Sequence, residues 1–510
     1  MGIGLPRVMV SETDLSYYVD TMLKGISCVI GITEKGPIGT PQLISSEIQF
    51  ERIFGGDLKT SDFPMLAKRA LSYGAVLWVS RTAHYTDITK KNTLTAKSAS
   101  ANPNSLKISA SSPGIWGNNI TVKISANDID PANLFNVTVY EAGEQVESLE
   151  DFSMNESAEK YIEKSGSSYL EFEITGSGLP PFGTYSLTGG VDGTDGMTDA
   201  DYIGSATNTT GLHAFDDITD AMQLAVPGVS SPAVITAGLA YCQERGDLLF
   251  VTETPFNLTP QEAVDFRLGK GVYTHAPFVS NYGAMYYPKL KVYDVSRQKE
   301  RYISPVGDVL GIMANNDYLA NESYVPAGTR RGLVLNALGV DVNVGGRGRL
   351  GEGNYLSENQ INPVCVFEDT GSVVWGAQTL QRQASLLREV NVRRMLIVVK
   401  KTVAAYARAY VHEPNDPRTW REFYRGLEPK FREWKAQRWF YDYRIFCDQN
   451  ANSLDEAKLN IPESVQRGEF KCQIFVKPMV GIKWVMIDAA ITRLDANFDE
   501  SLVDILGTAA

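Results

Sequence analysis

The stretch Gly31-Ile-Thr-Glu-Lys-Gly-Pro-Ile-Gly-Thr-Pro41 follows the apolar run Ile26-Ser-Cys-Val-Ile30, and Gly31 and Gly36 are spaced as in a phosphate-cradling loop. Such a loop needs backbone N–H groups aimed at the anion, a Lys directly after the second Gly, and then a Ser or Thr for the metal. Here those two places hold Pro37 and Ile38. Neither brings charge or hydroxyl, and proline brings no N–H. The stretch therefore reads as a strand and a Gly-Pro turn. Beyond it come a helix around Ser46-Glu-Ile-Gln-Phe-Glu-Arg-Ile-Phe54, a Gly55-Gly56 stop, a helix around Phe63-Pro-Met-Leu-Ala-Lys-Arg-Ala-Leu71 and the strand Val76-Leu-Trp-Val79. So short a unit buries a marginal core and is expected to complete itself with a distant part of the chain.

Working outward, residues 1–20 lack helical periodicity and suit an extended arm with strand potential, with Leu15, Tyr17 and Val19 as the arm's strand residues. Residues 95–200 are rich in Ser, Thr, Asn and Gly, with alternating runs such as Ile120-Thr-Val-Lys-Ile124, which predict an inserted all-β domain. Residues 201–370 return to α/β alternation, with strands expected at Ala233-Val-Ile-Thr236 and Asp247-Leu-Leu-Phe-Val251 around a helix from Gly238 to Arg245. Residues 371–490 predict a long helical stretch from Leu380, a second helix, and strands at 471–476 and 483–488. Residues 491–510 read as another polar arm. The fold class is a multidomain mixed α/β protein.

The chain has 510 residues with 43% hydrophobic and 21% charged, which is ordinary for a folded protein. No apolar run approaches the roughly 20 residues that cross a bilayer, and the N-terminus lacks a signal pattern, so no membrane insertion is expected. The net charge of −12 is uneven. Between Arg382 and Arg438 fourteen Lys or Arg face six Asp or Glu, while Ala126 to Thr175 holds twelve acidic residues against Lys160 and Lys164. An acidic chain is a poor general binder of nucleic acid, so the basic block suits an acidic protein surface, or simply a solvated helix face.

Cys28, Cys242, Cys365, Cys447 and Cys472 are scattered singly, without the C-x-x-C spacing of zinc sites, and read as buried free thiols, with intermolecular pairing as the sharper alternative. His84, His213, His275 and His412 have no ligand-like spacing. Val191-Asp-Gly-Thr-Asp-Gly196 lacks the register and closing Glu of a calcium loop. Val344-Gly-Gly-Arg-Gly-Arg-Leu-Gly-Glu-Gly353 reads as a mobile loop with no evident flanking strand or helix. No catalytic residue, cofactor or metal site is expected. The competing reading is a nucleotide-binding enzyme using residues 201–370.

The order of motifs resembles the contractile tail sheath protein family of bacteriophages and related contractile injection machines. The matches are Gly36-Pro37, Phe54-Gly55-Gly56, Pro113-Gly-Ile-Trp-Gly-Asn118, Leu187-Thr-Gly-Gly-Val-Asp-Gly193, Tyr287-Pro288, Val325-Pro-Ala-Gly328, Val373-Val-Trp-Gly-Ala-Gln-Thr-Leu380, Val390-Asn-Val-Arg-Arg394 and Glu413-Pro-Asn-Asp-Pro-Arg-Thr-Trp420. Two departures are Ser304, where a second proline is common, and Gln378, where Arg is common. The resemblance implies one discontinuous inner domain built from residues 21–94 and 371–490, the domains at 95–200 and 201–370 projecting outward, and terminal arms that add strands to neighbouring subunits. It further implies a homo-oligomer of stacked hexameric rings, an inner tail tube protein, baseplate and tail terminator proteins as partners, no direct nucleic acid, and a place in the virion after assembly in the host cytoplasm. Cys28 and Cys472 would share the inner domain and could bridge within or between chains.

The helix after Asp416-Pro417 carries a strong start signal, Asp at the cap and Pro at the first helical position. At about 100° per residue, Trp420, Phe423, Tyr424, Leu427, Phe431 and Trp434 fall on one face, and Arg418, Arg421, Arg425 and Arg432 form a stripe nearly opposite. The apolar face should pack inward. The arginines are candidates for contact with the tube or with an adjacent sheath subunit, the alternative being a solvated face.

Overall fold

The computed structural model describes residues 24–447 and 459–483. The expected arm at 1–20 with Leu15, Tyr17 and Val19, the tail at 491–510 and nearly all of the strand at 483–488 lie outside them. Two compact units divide the chain, Met1–Met479 and Val480–Ala510. Among the described residues every helix and strand belongs to the first unit; of the second only Val480–Lys483 are described, without regular structure.

The first segment holds β1 (Ile26–Gly31), β2 (Gln42–Ile44), α1 (Glu47–Phe54), α2 (Phe63–Ser72) and β3 (Val76–Arg81). Ser46 caps α1 by accepting from Gln49 N, and the chain leaves that helix through Gly55 at φ 84°. An insertion follows with β4 (Ser100–Ala101), β5 (Leu106–Ala110), β6 (Ile120–Ala126), β7 (Leu134–Glu141), β8 (Glu144–Ser153), β9 (Leu170–Ile174) and β10 (Gly183–Ser186). Its strands form two sheets, β10-β6-β7-β8 and β4-β5-β9, around one apolar core that includes Ile108, Trp116, Val122, Val137 and Phe172. The alternating pattern of Ile120–Ala126 places Ile120, Val122 and Ile124 in that core, as a sheet with one wet face requires.

The chain then returns through α3 (Asp199–Ile203), β11 (Gln223–Ala225), α4 (Pro232–Arg245), β12 (Leu249–Glu253), α5 (Pro260–Leu268), β13 (Gly283–Tyr287), β14 (Leu290–Asp294), β15 (Lys299–Ile303), α6 (Val306–Leu319), β16 (Gly339–Val340), α7 (Leu350–Glu358), β17 (Ile361–Phe367) and β18 (Gly371–Val374). The last part comprises α8 (Val390–Arg408), α9 (Pro417–Ala436), β19 (Phe440–Phe446), α10 (Pro462–Gln466) and β20 (Gln473–Pro478).

The central sheet has eight strands in the order β18-β17-β13-β12-β11-β1-β3-β2. From β17 to β3 the pairing is parallel, and the outermost strands, β18 and β2, are antiparallel to their neighbours. Both faces are covered. Val29, Ala225, Val251, Ala284 and Tyr286 point to the side packed by α2 and α6, while Cys28, Leu224, Phe250, Met285 and Tyr287 point to the side packed by α4 and α5. This two-sided burial is why the strands read as short continuous apolar runs.

The topology corrects the expected domain pairing. The strands of residues 21–94 complete their sheet with β11, β12, β13 and β17 from the 201–370 region, and β1 pairs β11 directly, Cys28 opposite Leu224. Among the described residues the C-terminal segment adds no strand to this sheet; it docks through α8, whose Val390 and Ile397 enter the same core. The physical reason is that parallel strands pair across long crossovers, so the neighbour of β1 is not near it in sequence. Local readings shift too. Ala233-Val-Ile-Thr236 is the first turn of α4, started by Pro232, and the stretch after Leu380 is irregular, with one 3-10 turn at Leu386–Arg388, until α8 begins at Val390. Gly351 and Gly353, expected in a mobile loop, lie in α7.

The opening stretch joins β1 to β2, which lies on the far side of β3. Gly31 has no room for a side chain, because a Cβ there would lie 2.0 Å from the Phe63 ring. Gly36, at φ 103°, donates its N–H to Ser112 Oγ at 2.9 Å. Arg81, only 1% exposed, donates to Gly36 O at 3.0 Å and Pro113 O at 2.6 Å. Open α/β sheets bind ligands beyond the carboxyl ends of their strands where the order reverses. Here the ends of β1 and β3 are occupied by this loop and by the root of the β-sandwich.

Candidate functional site

The C-terminal part has its own apolar cluster, built from α8, α9 and the β19–β20 pair and including Met395, Tyr406, Phe423, Leu427, Phe431, Trp434, Trp439 and Phe440. The start of α9 is set by Asp416, whose carboxylate accepts from Arg418 N at 2.9 Å and Thr419 N at 2.8 Å. Those two bonds, the Thr419 one first, hold the Asp416 carboxyl below its usual range. Trp420, Phe423, Leu427, Phe431 and Trp434 are buried and Tyr424 is half-buried. Gly426 allows α8 and α9 to touch, since a Cβ there would lie 1.8 Å from Tyr406 Oη. Pro429 lies inside the helix without ending it, although it removes the N–H that the Arg425 carbonyl would otherwise accept.

Arg418, Arg421, Arg425 and Arg432 are all exposed. They are not equivalent. Arg418 Nε pairs with Glu422 Oε1 at 3.0 Å, and Arg432 Nη2 pairs with Glu428 Oε2 at 2.9 Å, each one turn along the helix. These partners raise both guanidinium pKa values. Arg421 Nε donates to Pro417 O at 3.1 Å. Arg425 has no side-chain hydrogen bond or ion pair among the described residues, so the stripe carries least internal compensation at its middle.

Most of the basic block is exposed, but Arg393 and Arg394 are buried inside the protein. Arg394 pairs with Asp317 of α6 at 2.5 Å, and both side chains are 0% exposed. The Gln223 amide, in the orientation that satisfies both its ends, accepts from Arg394 Nε and Nη2 at 2.9 Å. One arginine thus ties α8 to α6 and to β11. Burial raises the Asp317 carboxyl to about 6 despite the opposing pull of Arg394. Arg393 lies over the Tyr282 ring at 4.1 Å, and Lys401 pairs with Asp247 at 3.3 Å. Arg388 Nε donates to Gln378 Oε1 at 3.0 Å. An arginine at position 378 would face Arg388, which accounts for glutamine there.

Among the described residues the β19–β20 sheet has two strands, and both of its outer edges lack a strand partner. Burial along β20 alternates exposed and half-buried, and Tyr441 and Phe475 are 64% and 56% exposed. Periodicity located β20 within two residues.

The cysteines are not where the discontinuous domain would put them. Cys28 is buried in the central sheet in one cluster with Cys242, and Cys472 belongs to the C-terminal cluster beside Cys447. Cys28 and Cys472 do not meet. Burial pushes the Cys28, Cys242 and Cys365 thiols up. Among the described residues no group of three or more His, Cys, Asp or Glu could hold a metal ion. A cavity of about 320 Å³ lies at the seam between the opening loop and the sandwich, lined by Lys35, Arg52, Ser111, Ser112, Trp116 and Tyr169. The Lys35 ammonium sits 5.3 and 5.4 Å from the Trp116 and Tyr169 ring centres, a packing contact between the two domains.

Comparison with known proteins follows the same divisions. Residues 89–192 match the phage tail sheath protein beta-sandwich domain, and residues 382–492 match the phage tail sheath C-terminal domain. The tail sheath protein of Vibrio phage KVP40 is 28% identical over 373 residues, 67% of this chain and 51% of the relative. That of Enterobacteria phage T4 is 25% identical over 252 residues, 49% and 36% of the two chains. The aligned part therefore spans about half or less of these relatives. A sheath tail protein from Listeria innocua shares the fold with a TM-score of 0.61 at 14% identity, covering 91% of this chain and 97% of its own. The sheath complex of an extracellular contractile injection system, PVC, in its contracted state superposes with a TM-score of 0.57 at 14% identity, covering 96% and 98%. In order along the chain, then, it matches the β-sandwich and C-terminal domains of phage tail sheath proteins, on a fold shared with solved sheath proteins.

Proposed function

We propose that this protein polymerises into a helical sleeve around an inner tail tube and contracts to drive that tube through a target envelope. The observation that carries the reading is the β19–β20 pair, whose outer edges have no strand partner among the described residues, beside an exposed arginine stripe on the same cluster. A two-stranded sheet is marginal alone and gains stability when further strands are added. Arms donated by neighbouring subunits, residues 1–20 with Leu15, Tyr17 and Val19 and the last residues of the tail, supply such strands and hold the lattice together while subunits move.

In this reading the sheath is a homo-oligomer of stacked hexameric rings, capped by baseplate and terminator proteins and located in the virion tail. The domain holding α8, α9 and β19–β20 faces inward and the β-sandwich outward. Arg418, Arg421, Arg425 and Arg432 make weak, salt-sensitive contacts to the tube or to an adjacent subunit, which suits a surface that must release. The work is stored in the extended lattice and released by new subunit contacts, so the protein acts without catalysis or cofactor.

Negative-stain microscopy of the purified full chain tests this reading. Hollow sleeves are expected, and deletion of residues 1–20 should leave folded monomers that form none. Sleeves of normal length from the deleted chain would rule out arm exchange.

A further inference from the structure

The two strands that end the C-terminal cluster bring two cysteines together. In the antiparallel β19–β20 register Phe446 lies opposite Gln473, so the next pair outward is Cys447 with Cys472. Directly opposed residues in such a ladder hold their Cα atoms roughly 4.5–5.5 Å apart, within the roughly 4.4–6.8 Å that a disulfide spans. Asn460 clamps the two chains at this level. Its Nδ2 donates to Cys447 O and to Lys471 O, each at 3.1 Å, and its Oδ1 accepts from Lys471 N at 2.8 Å.

The two thiols are in side-chain hydrogen-bonding contact but differ in access. Cys447 is 1% exposed and also reaches Trp420 O at 3.7 Å, whereas Cys472 is half-buried. The bond from Cys447 holds the Cys472 thiol below its ordinary value against the opposing effect of burial. A thiol of that kind, reachable and thiolate-prone with a second thiol beside it, is the arrangement that oxidises selectively. Cys28, Cys242 and Cys365 are buried and carry raised pKa values.

We propose that Cys447 and Cys472 are a redox-active pair that closes into a cross-strand disulfide within one chain when the protein meets a low-molecular-weight disulfide such as oxidised glutathione. The Cys472 thiolate attacks one glutathione sulfur and expels the other as a thiolate, leaving a mixed disulfide. Cys447 then gives up its proton, attacks the Cys472 sulfur and releases the second glutathione. Two protein thiols are oxidised, one glutathione disulfide is reduced to two glutathiones, and the Cys447 proton ends on a departing thiolate. The bond pins the end of a sheet that no third strand braces among the described residues, and it does not require polymerisation.

The test is to treat the full chain with oxidised glutathione, alkylate free thiols under denaturing conditions, and map the peptides by mass spectrometry. The expected result is loss of alkylation at Cys447 and Cys472, recovery of one linked peptide pair that dithiothreitol separates, and full alkylation at Cys28, Cys242 and Cys365. In Cys447→Ser the reaction should stop at a glutathione adduct on Cys472. The proposal is overturned if Cys472 in the parent chain stays alkylatable, retains glutathione, or links to a second chain as a dimer on non-reducing gels. Because the decisive readings come from the parent chain, a folding defect in the variant does not blur them.

Discussion

Every residue of β1, β12 and β13 is buried, whereas β20 alternates exposed and half-buried along its whole length. The eight-stranded sheet has helices on both faces and antiparallel strands at its margins, so its interior strands have their backbone groups paired within the chain. The β19–β20 sheet leans on α9 with one face, and neither of its edges has a further strand among the described residues. The first construction is closed and self-sufficient. The second leaves room for added strands, on which the proposed lattice rests.

Changes on the closed side should cost the monomer most. Arg394→Met removes one member of the buried pair and leaves Asp317 without its counter-charge, at an expected cost of about 3–5 kcal/mol. Urea denaturation at neutral pH measures it, and part of the loss should return on acidification as the orphaned carboxyl protonates. A cost below about 1 kcal/mol would mean the pair is not what ties α8 to the sheet.

Asp317 itself sets a pH dependence. Its carboxyl is raised from 3.8 to about 6, so the stability of its protonated form is complete below 3.8 and is lost as pH rises through about 6. Asp317→Asn is locked in the neutral form, and the difference in melting temperature between it and the parent should change across that window and be flat outside it. A constant difference would assign the pH response to other groups.

Gly31→Ala should cost about 1–3 kcal/mol by overpacking, because the new methyl meets the Phe63 ring and the end of β1 cannot retreat from α2. Thermal melting reads it directly. If the variant melts with the parent, the close approach of β1 and α2 is softer than the 2.0 Å contact implies.

Changes on the open side should barely affect the monomer. Tyr441→Ser with Phe475→Ser removes exposed aromatic surface from the two-stranded sheet, and the monomer should stay within about 0.5 kcal/mol of the parent. Sleeve formation at low protein concentration is where the loss should register. Smallest in monomer stability is the triple change of Arg418, Arg421 and Arg425 to Glu, with the melting temperature nearly unmoved but assembly on tubes impaired. If the triple variant assembles with unchanged salt sensitivity, the stripe is a solvated face.

The alternating run of residues 120–124, the Asp416-Pro417 helix start and the apolar face from Trp420 to Trp434 were legible because each depends on contacts a few residues apart. The arginine stripe was legible as a geometric feature of one helix, but Glu422 and Glu428 as its partners became visible only with side chains in place. Local pattern likewise failed at Ala233-Val-Ile-Thr236, where a buried helix and a buried strand look alike over four residues.

Sequence alone determined that Gly31–Pro41 is a strand exit and turn with no phosphate chemistry, because Pro37 and Ile38 lack the groups. It also determined that the segment around it could not close a core by itself. Only the tertiary structure decided where the rest of that core came from: β11 lies beside β1, although nearly two hundred residues intervene. The same holds for Arg394 meeting Asp317 and for Cys472 meeting Cys447 rather than Cys28. Periodicity reports which face of an element is apolar, whereas the choice of neighbour is made by pairing and packing among elements far apart in the chain.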